Sequence, residues 1–123
     1  MKSKKIQTIC IIPARIGSKR IPKKNIKIFY KKPLIYYAIN KALNSKLFDR
    51  VIVSTDSTEI AKLSLKFGAE VPFIRPKSIS TQNSSTLSVL KHSVLKLKLK
   101  PMDEIFCLYP TSPLLEIKYI RLI

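Results

Sequence analysis

Apolar residues in this chain fall into short unbroken runs separated by stretches of helical spacing. Residues 6–13 (IQTICIIP) make the first run, and its continuous apolar character predicts a strand buried on both faces. After a polar, basic segment, Pro33 suits a first helical turn. Leu34, Ile35, Ala38, Ile39, Ala42 and Leu43 then recur at helical spacing and predict a helix ending near Asn44–Ser45. Arg50 to Ser54 (RVIVS) reads as a second strand. Ser57 is the expected N-cap of a helix over Thr58–Phe67, with Gly68 closing it. Glu70 to Ile74 reads as a third short strand and the polar stretch Lys77–Ser85 as a loop. Leu87, Val89, Leu90, Val94, Leu95 and Leu97 predict a third helix, ended before Pro101, and Glu104–Tyr109 a fourth strand.

Strand and helix thus alternate, which predicts an α/β fold with a mostly parallel sheet and right-handed crossovers. In such sheets functional loops gather at the carboxyl ends of the strands. Here those ends are Arg15–Asn25, Thr55–Asp56, Arg75–Ser85 and Pro110–Pro113, and polar and basic residues concentrate there. The last stretch, LLEIKYIRLI, carries apolar residues at Leu114, Leu115, Ile117, Ile120 and Ile123 and reads as the opening turns of another helix. Left uncovered, it would expose a sheet edge and an apolar stripe. The expectation is the amino-terminal part of a longer fold, or a chain that needs a partner.

Composition adds one strong feature, a formal net charge of +17 on 123 residues. A cationic surface favours nucleic acid, anionic lipid or small polyphosphates. Most of the lysines are spread over expected surfaces and read as solvated. The exception is Arg15 to Lys32, which holds eight basic residues and no acid. Cys10 and Cys107 sit in strand-like runs and outside any CxxC or His/Cys cluster, so buried reduced thiols are expected rather than zinc ligands. MKSKKIQT is not followed by a secretory apolar region with a cleavage site. No stretch approaches the roughly 18 apolar residues of a membrane span. A cytoplasmic location without membrane partners is the expectation.

The basic loop after the first strand is neither GxxxxGK[ST] nor GxGxxG. Gly17 would let backbone approach a phosphate, Ser18 would add a hydroxyl, and Arg15, Lys19 and Lys24 would supply cations. IIPARIGSKRIPKKN, KPLIYYAI, FDRVIVSTD, FGAEVPFIRP and YPTSPL, in this order, resemble the acylneuraminate cytidylyltransferase family, which makes CMP-activated sialic, pseudaminic and related nonulosonic acids. The resemblance runs from about Ile6 to Leu115.

That resemblance implies a Rossmann-like three-layer nucleotidyltransferase fold, truncated at its C-terminal side. Residues 1–123 would form the amino-terminal part of a single cytidylyltransferase domain. It implies an enzyme that joins CTP to the anomeric hydroxyl of a nonulosonic acid and releases pyrophosphate, with Mg²⁺ neutralising charge. Lys24 and Arg15 would be the catalytic cations. Arg15, Gly17, Ser18, Lys19, Lys24 and Asn25 would hold the nucleotide, Arg75 would read the cytosine, and Thr86 would stand near the base. Tyr109, Thr111 and Ser112 would line the sugar pocket. Arg20, and Tyr109 where sialic acid enzymes carry glutamine, look more like the pseudaminic acid branch. No metal ligand is assigned, because the acidic ligands and most of the homodimer interface belong to the remainder of the longer relatives.

Several positions depart from the family pattern. Ile16 replaces a usual glycine and would be strained if its φ were positive. Gln82 stands for a common aspartate, and Leu115 for the arginine that follows PTSPL. Asp56 reads as a turn and helix-cap residue, His92 as a partly exposed surface residue, Tyr36 and Tyr37 as helix packing and surface, and Asp49–Arg50 as a local ion pair. The competing readings are an inactive remnant of the same enzyme and a basic nucleic-acid-binding module. The absence of HTH, RRM and KH patterns counts against the module.

Overall fold

The computed structural model describes residues 6–17, 28–29, 31–80, 85–110 and 117–120. At its centre lies β1 (Thr8–Pro13), flanked on both sides by parallel neighbours. On one side β4 (Arg50–Ser54) pairs in register from Ile9↔Arg50 to Pro13↔Ser54. On the other, β5 (Glu104–Leu108) pairs from Thr8↔Glu104 to Ile11↔Cys107. A further strand, β6 (Ile117–Ile120), adds to β5 antiparallel, giving the order β4-β1-β5-β6. A central strand with ladders on both edges has no solvated backbone, which is why its sequence is apolar without alternation.

Successive side chains of β1 point to opposite faces. Cys10 and Ile12 pack with Val51, Val53 and the buried stripe of α1 (Leu34–Ser45), namely Ile35, Ala38, Ile39 and Ala42. Ile60 of α2 (Thr58–Lys66) joins that layer. Ile9 and Ile11 turn the other way, to Ile52, Ile105, Cys107 and Leu90 of α3 (Thr86–Leu97). Helices on both faces of a mostly parallel sheet give the expected three layers.

The helix ends follow local chemistry. The Ser57 hydroxyl caps α2 by accepting from the Ile60 N–H at 3.2 Å, and Ser85 caps α3 through the Ser88 N–H at 3.0 Å. Glu59 in the first turn of α2 and Lys66 in its last complement the helix dipole. Gly68 follows α2 at φ 100°, a left-handed conformation that suits glycine. Lys46 and Lys98 end α1 and α3 in the same region of φ, at 57° and 53°.

Three expectations are corrected. Glu70–Ile74 is not a strand: it makes a single parallel bridge, Ile52↔Glu70. Pro72 has no N–H to extend the ladder, and the chain next rejoins β4 where the Arg75 N–H donates to the Thr55 carbonyl at 2.7 Å. The segment expected to open a helix after Leu114 instead contributes β6. Its Ile- and Tyr-rich run suits a strand, and the open edge of β5 supplies the hydrogen-bond partner that a short apolar run cannot announce by itself. A two-stranded ribbon, β2 (Ile28–Phe29) with β3 (Lys32–Pro33), also precedes α1 where only loop was expected. Pro33 therefore occupies the N-cap position of α1, without a side-chain cap bond, rather than sitting in its first turn.

Candidate functional site

The parallel strands β1, β4 and β5 end on the same side of the sheet, and the chain that leaves them builds the site. After Pro13 the ladder continues for one bond, from the Ala14 N–H to the Ser54 carbonyl at 2.9 Å. Arg15 is half-buried and curls back to donate from Nη1 to the Gly17 carbonyl. The Ile16 N–H reaches across to β4's end, donating to Oδ1 of Asp56 at 2.9 Å. Asp56 is therefore not a helix cap, a role that Ser57 fills. Ile16 is absent from the residues with positive φ, so a β-branched side chain is accommodated there without the strain a left-handed backbone would impose. Gly17 is exposed, and a Cβ there would lie 3.3 Å from Arg15 Nη1, tight enough to disturb that curl.

Arg75 is the buried cation of the site, at 3% exposure. Its Nη2 donates to the Ser54 carbonyl at 3.2 Å and its Nη1 to the Ile79 carbonyl at 3.1 Å. Nε is buried and has no hydrogen-bond partner among the described residues. Burial pulls the guanidinium below its ordinary pKa. The Asp56 carboxylate and Tyr109 pull it back up, and Arg15 lowers it further. Asp56, Tyr109 and Arg15 thus all lie within electrostatic reach of Arg75. A short 3₁₀ turn, Lys77–Ile79, presents the Ile79 carbonyl, and the Ser80 hydroxyl ties that turn to the Pro76 carbonyl at 2.7 Å.

On the β5 side, Tyr109 and Thr86 share a hydrogen bond between their hydroxyls. Burial raises the Tyr109 phenol, while the Thr86 bond and Arg75 act in the opposite direction. The sequence assigns Thr86 to the base and Tyr109 to the sugar; the structure links the two directly. Behind them, the His92 ring stands edge-on to Phe73, with centroids 5.1 Å apart, and both its nitrogens are buried without hydrogen-bond partners among the described residues. As a whole the residue is half-buried, so the surface reading holds for its position but not for its ring nitrogens.

Of the residues picked from sequence, Arg15, Gly17, Arg75, Thr86 and Tyr109 stand at the carboxyl end of the sheet. Ser18, Lys19, Arg20, Lys24 and Asn25, together with Gln82, Thr111, Ser112 and Leu115, lie outside the described residues. Sequence reasoning missed the Asp56–Ile16 bond. The signal that could have found it is the parallel pairing of the two strands that the residues follow. Around the Asp49–Arg50 pair of residues, Arg50 reaches Glu70, Nη2 to Oε1 at 2.7 Å, and Asp49 accepts from the Thr8 N–H at 2.8 Å. Tyr36 and Tyr37 are both half-buried, and Tyr36 packs edge-to-face on Phe67 with centroids 5.1 Å apart. Among the described residues no group of three or more His, Cys, Asp or Glu side chains could hold a metal ion, and no helix is long and apolar enough to cross a membrane.

The fold is a three-layer α/β sandwich whose parallel strands lead at their carboxyl ends to buried and half-buried cations. The chain superposes on a CMP:2-keto-3-deoxy-manno-octonic acid synthetase solved in complex with CTP, with a TM-score of 0.71 over 87% of this chain and 41% of that one, at 24% identity. In sequence it is 47% identical over 112 residues to a pseudaminic acid cytidylyltransferase from Campylobacter jejuni, covering 89% of this chain and 48% of that protein. It is 38% identical over 122 residues to a CMP-N,N′-diacetyllegionaminic acid synthase from Legionella pneumophila, covering 94% of this chain and 51% of that protein. Residues 9–123 match the cytidylyltransferase family pattern, and the chain belongs to that family. It spans about half the length of these curated relatives.

Proposed function

We propose that this chain is the CTP-binding, amino-terminal portion of an enzyme that transfers CMP from CTP to a nonulosonic acid, of the pseudaminic acid type. The observation that carries the proposal is the 47% identity to a pseudaminic acid cytidylyltransferase over 112 residues, 89% of this chain. The meeting of Arg15, Arg75, Thr86 and Tyr109 at the strand ends supports it.

In the reaction the sugar's anomeric oxygen attacks the α-phosphorus of CTP. A carbon–oxygen–phosphorus link forms as the hydroxyl gives up its proton to solvent, the bond from the α-phosphorus to the bridging oxygen of the β-phosphate breaks, and pyrophosphate leaves with the electron pair. Such a transfer asks the protein chiefly for alignment and for positive charge where negative charge builds up. Arg15, Lys19 and Lys24 serve the phosphates, with Ser18 and Asn25 as hydrogen-bonding partners and Gly17 allowing close backbone approach. Arg75 donates to the cytosine carbonyl, with Thr86 beside the base. Tyr109, Thr111 and Ser112 line the sugar side. Magnesium, when bound, would neutralise phosphate charge. The described residues offer no ligand set for it.

The test is to mix the chain with CTP, Mg²⁺ and pseudaminic or sialic acid and follow pyrophosphate, alongside a version extended to the length of the relatives. Turnover by the extended version alone would make this portion insufficient for catalysis; turnover by neither would sink the enzyme reading. In an active version, Lys24→Ala should lower turnover more than CTP affinity. The reverse pattern would reject its role in stabilising the transition state.

A further inference from the structure

Three consecutive residues at the end of β4 hold both halves of the site together. The Ser54 carbonyl accepts from the Ala14 N–H and from Arg75 Nη2, the Thr55 carbonyl accepts from the Arg75 N–H, and the Asp56 carboxylate accepts from the Ile16 N–H. The first and last of these contacts fix the start of the loop after β1; the others fix Arg75. Asp56 differs from its two neighbours because its contact is made by a charged side chain. A carboxylate beside a loop that receives polyphosphate repels the ligand unless its charge is engaged. Here one oxygen is bonded to the backbone of that loop, and the charge favours the ionised form of the Arg75 guanidinium.

We infer that Asp56 is a positioning residue: by holding the Ile16 N–H it fixes the start of the loop after β1, residues 14–17, where the phosphates of CTP are received, while Arg75 stays on the base side of the same strand end. The inference rests on the reading of that loop as the phosphate site. A carboxylate bonded to a backbone N–H makes a charge-assisted hydrogen bond, stronger than the carbonyl bonds of the ladder. It acts just beyond the last ladder bond, where the loop leaves the sheet.

The experiment compares the wild-type chain with Asp56→Ala and Asp56→Asn in titrations with CTP and with cytidine, followed by NMR of the nitrogen-labelled protein. The Ile16 amide exchange rate is recorded for each. Asparagine keeps an oxygen for the Ile16 N–H and drops the charge; alanine removes both. The expected result is a loss of about tenfold or more in CTP affinity for Asp56→Ala, the size of one charge-assisted hydrogen bond. Cytidine affinity should change less than about twofold, because cytidine has no phosphates to misplace. Asp56→Asn should recover most of the CTP affinity, with slow Ile16 exchange in wild type and Asn and fast exchange in Ala. A folded Asp56→Ala chain that still binds CTP as wild type does would overturn the positioning role. So would parallel loss of CTP and cytidine, which is the mark of general damage, or an Asn variant as weak as Ala with slow Ile16 exchange. In all three cases wild type still prefers CTP. A wild-type chain that takes CTP no better than cytidine instead removes the phosphate-loop reading, and the role of Asp56 with it.

Discussion

Arg75 shows how much of one residue's role a sequence conveys. Its place after a predicted strand marks it as a site cation, but nothing in the sequence says that it is almost wholly buried and bonded to two carbonyls. Those bonds come from Ser54, on another element, and from Ile79, in a 3₁₀ turn with no apolar periodicity to announce it. The Asp56–Ile16 bond was missed for a related reason, since finding it takes the register of β1 against β4 as well as their parallel pairing. His92 sits behind this group and carries a pH prediction. Burial lowers its pKa below the ordinary 6.5, and the nearby charges of Lys96 and Arg75 push the same way. A depressed folded value favours the neutral ring, so its share of stability is present above about pH 6.5 and is lost as pH falls through the folded value. Urea midpoints from pH 8 down to 5 should decline more steeply for wild type than for His92→Gln. Equal slopes would mean that His92 titrates as it does in the unfolded chain.

Helices and buried strands were legible because each answers to a local rule. The α1 stripe, the Ser57 cap and the Gly68 stop all follow from residues within the segment itself. Elements that failed depend on a neighbour. β6 exists because β5 offers an open edge, and the expected strand at Glu70–Ile74 ends after one bridge because Pro72 cannot donate. Gly68 illustrates the local kind. Its φ of 100° is unfavourable for any residue with a Cβ, and a Cβ there would stand 3.1 Å from Leu43 Cδ1, which would have to shift by a few tenths of an ångström. Gly68→Ala should destabilise the chain by about 1–3 kcal/mol in denaturant titrations. A neutral result would show that the turn relaxes to negative φ at no cost.

At the scale of the molecule, the net charge of +17 sets the background for every local contact. Like charges repel in the compact state, and salt screens them, with a Debye length of about 10 Å at 0.1 M. Raising NaCl from about 0.02 to 0.3 M should therefore raise the melting temperature, by a few degrees for a change of about 1 kcal/mol. A falling melting temperature would mean that pairs such as Arg50–Glu70 outweigh the repulsion. The same screening should weaken the proposed binding of CTP at the cationic strand ends. The α/β class with a mostly parallel sheet was readable from the alternation of strand and helix, and the three layers from the family resemblance; the bond that fastens the start of the basic loop to Asp56 was not readable from either.

β1 also sends Cys10 into the layer under α1 and α2, and β5 sends Cys107 into the layer under α3. The two thiols are buried on opposite faces of one sheet, and burial, aided by Cys107, pushes the Cys10 thiol up to about 12, so it stays protonated and inert while covered. Each sulfur is thus a clock for its own layer. Thiol labelling followed by peptide mass analysis should mark Cys107 first if α3 lifts away before the rest, and Cys10 first if α1 and α2 loosen. Equal rates for both would mean that the sheet opens only as a whole.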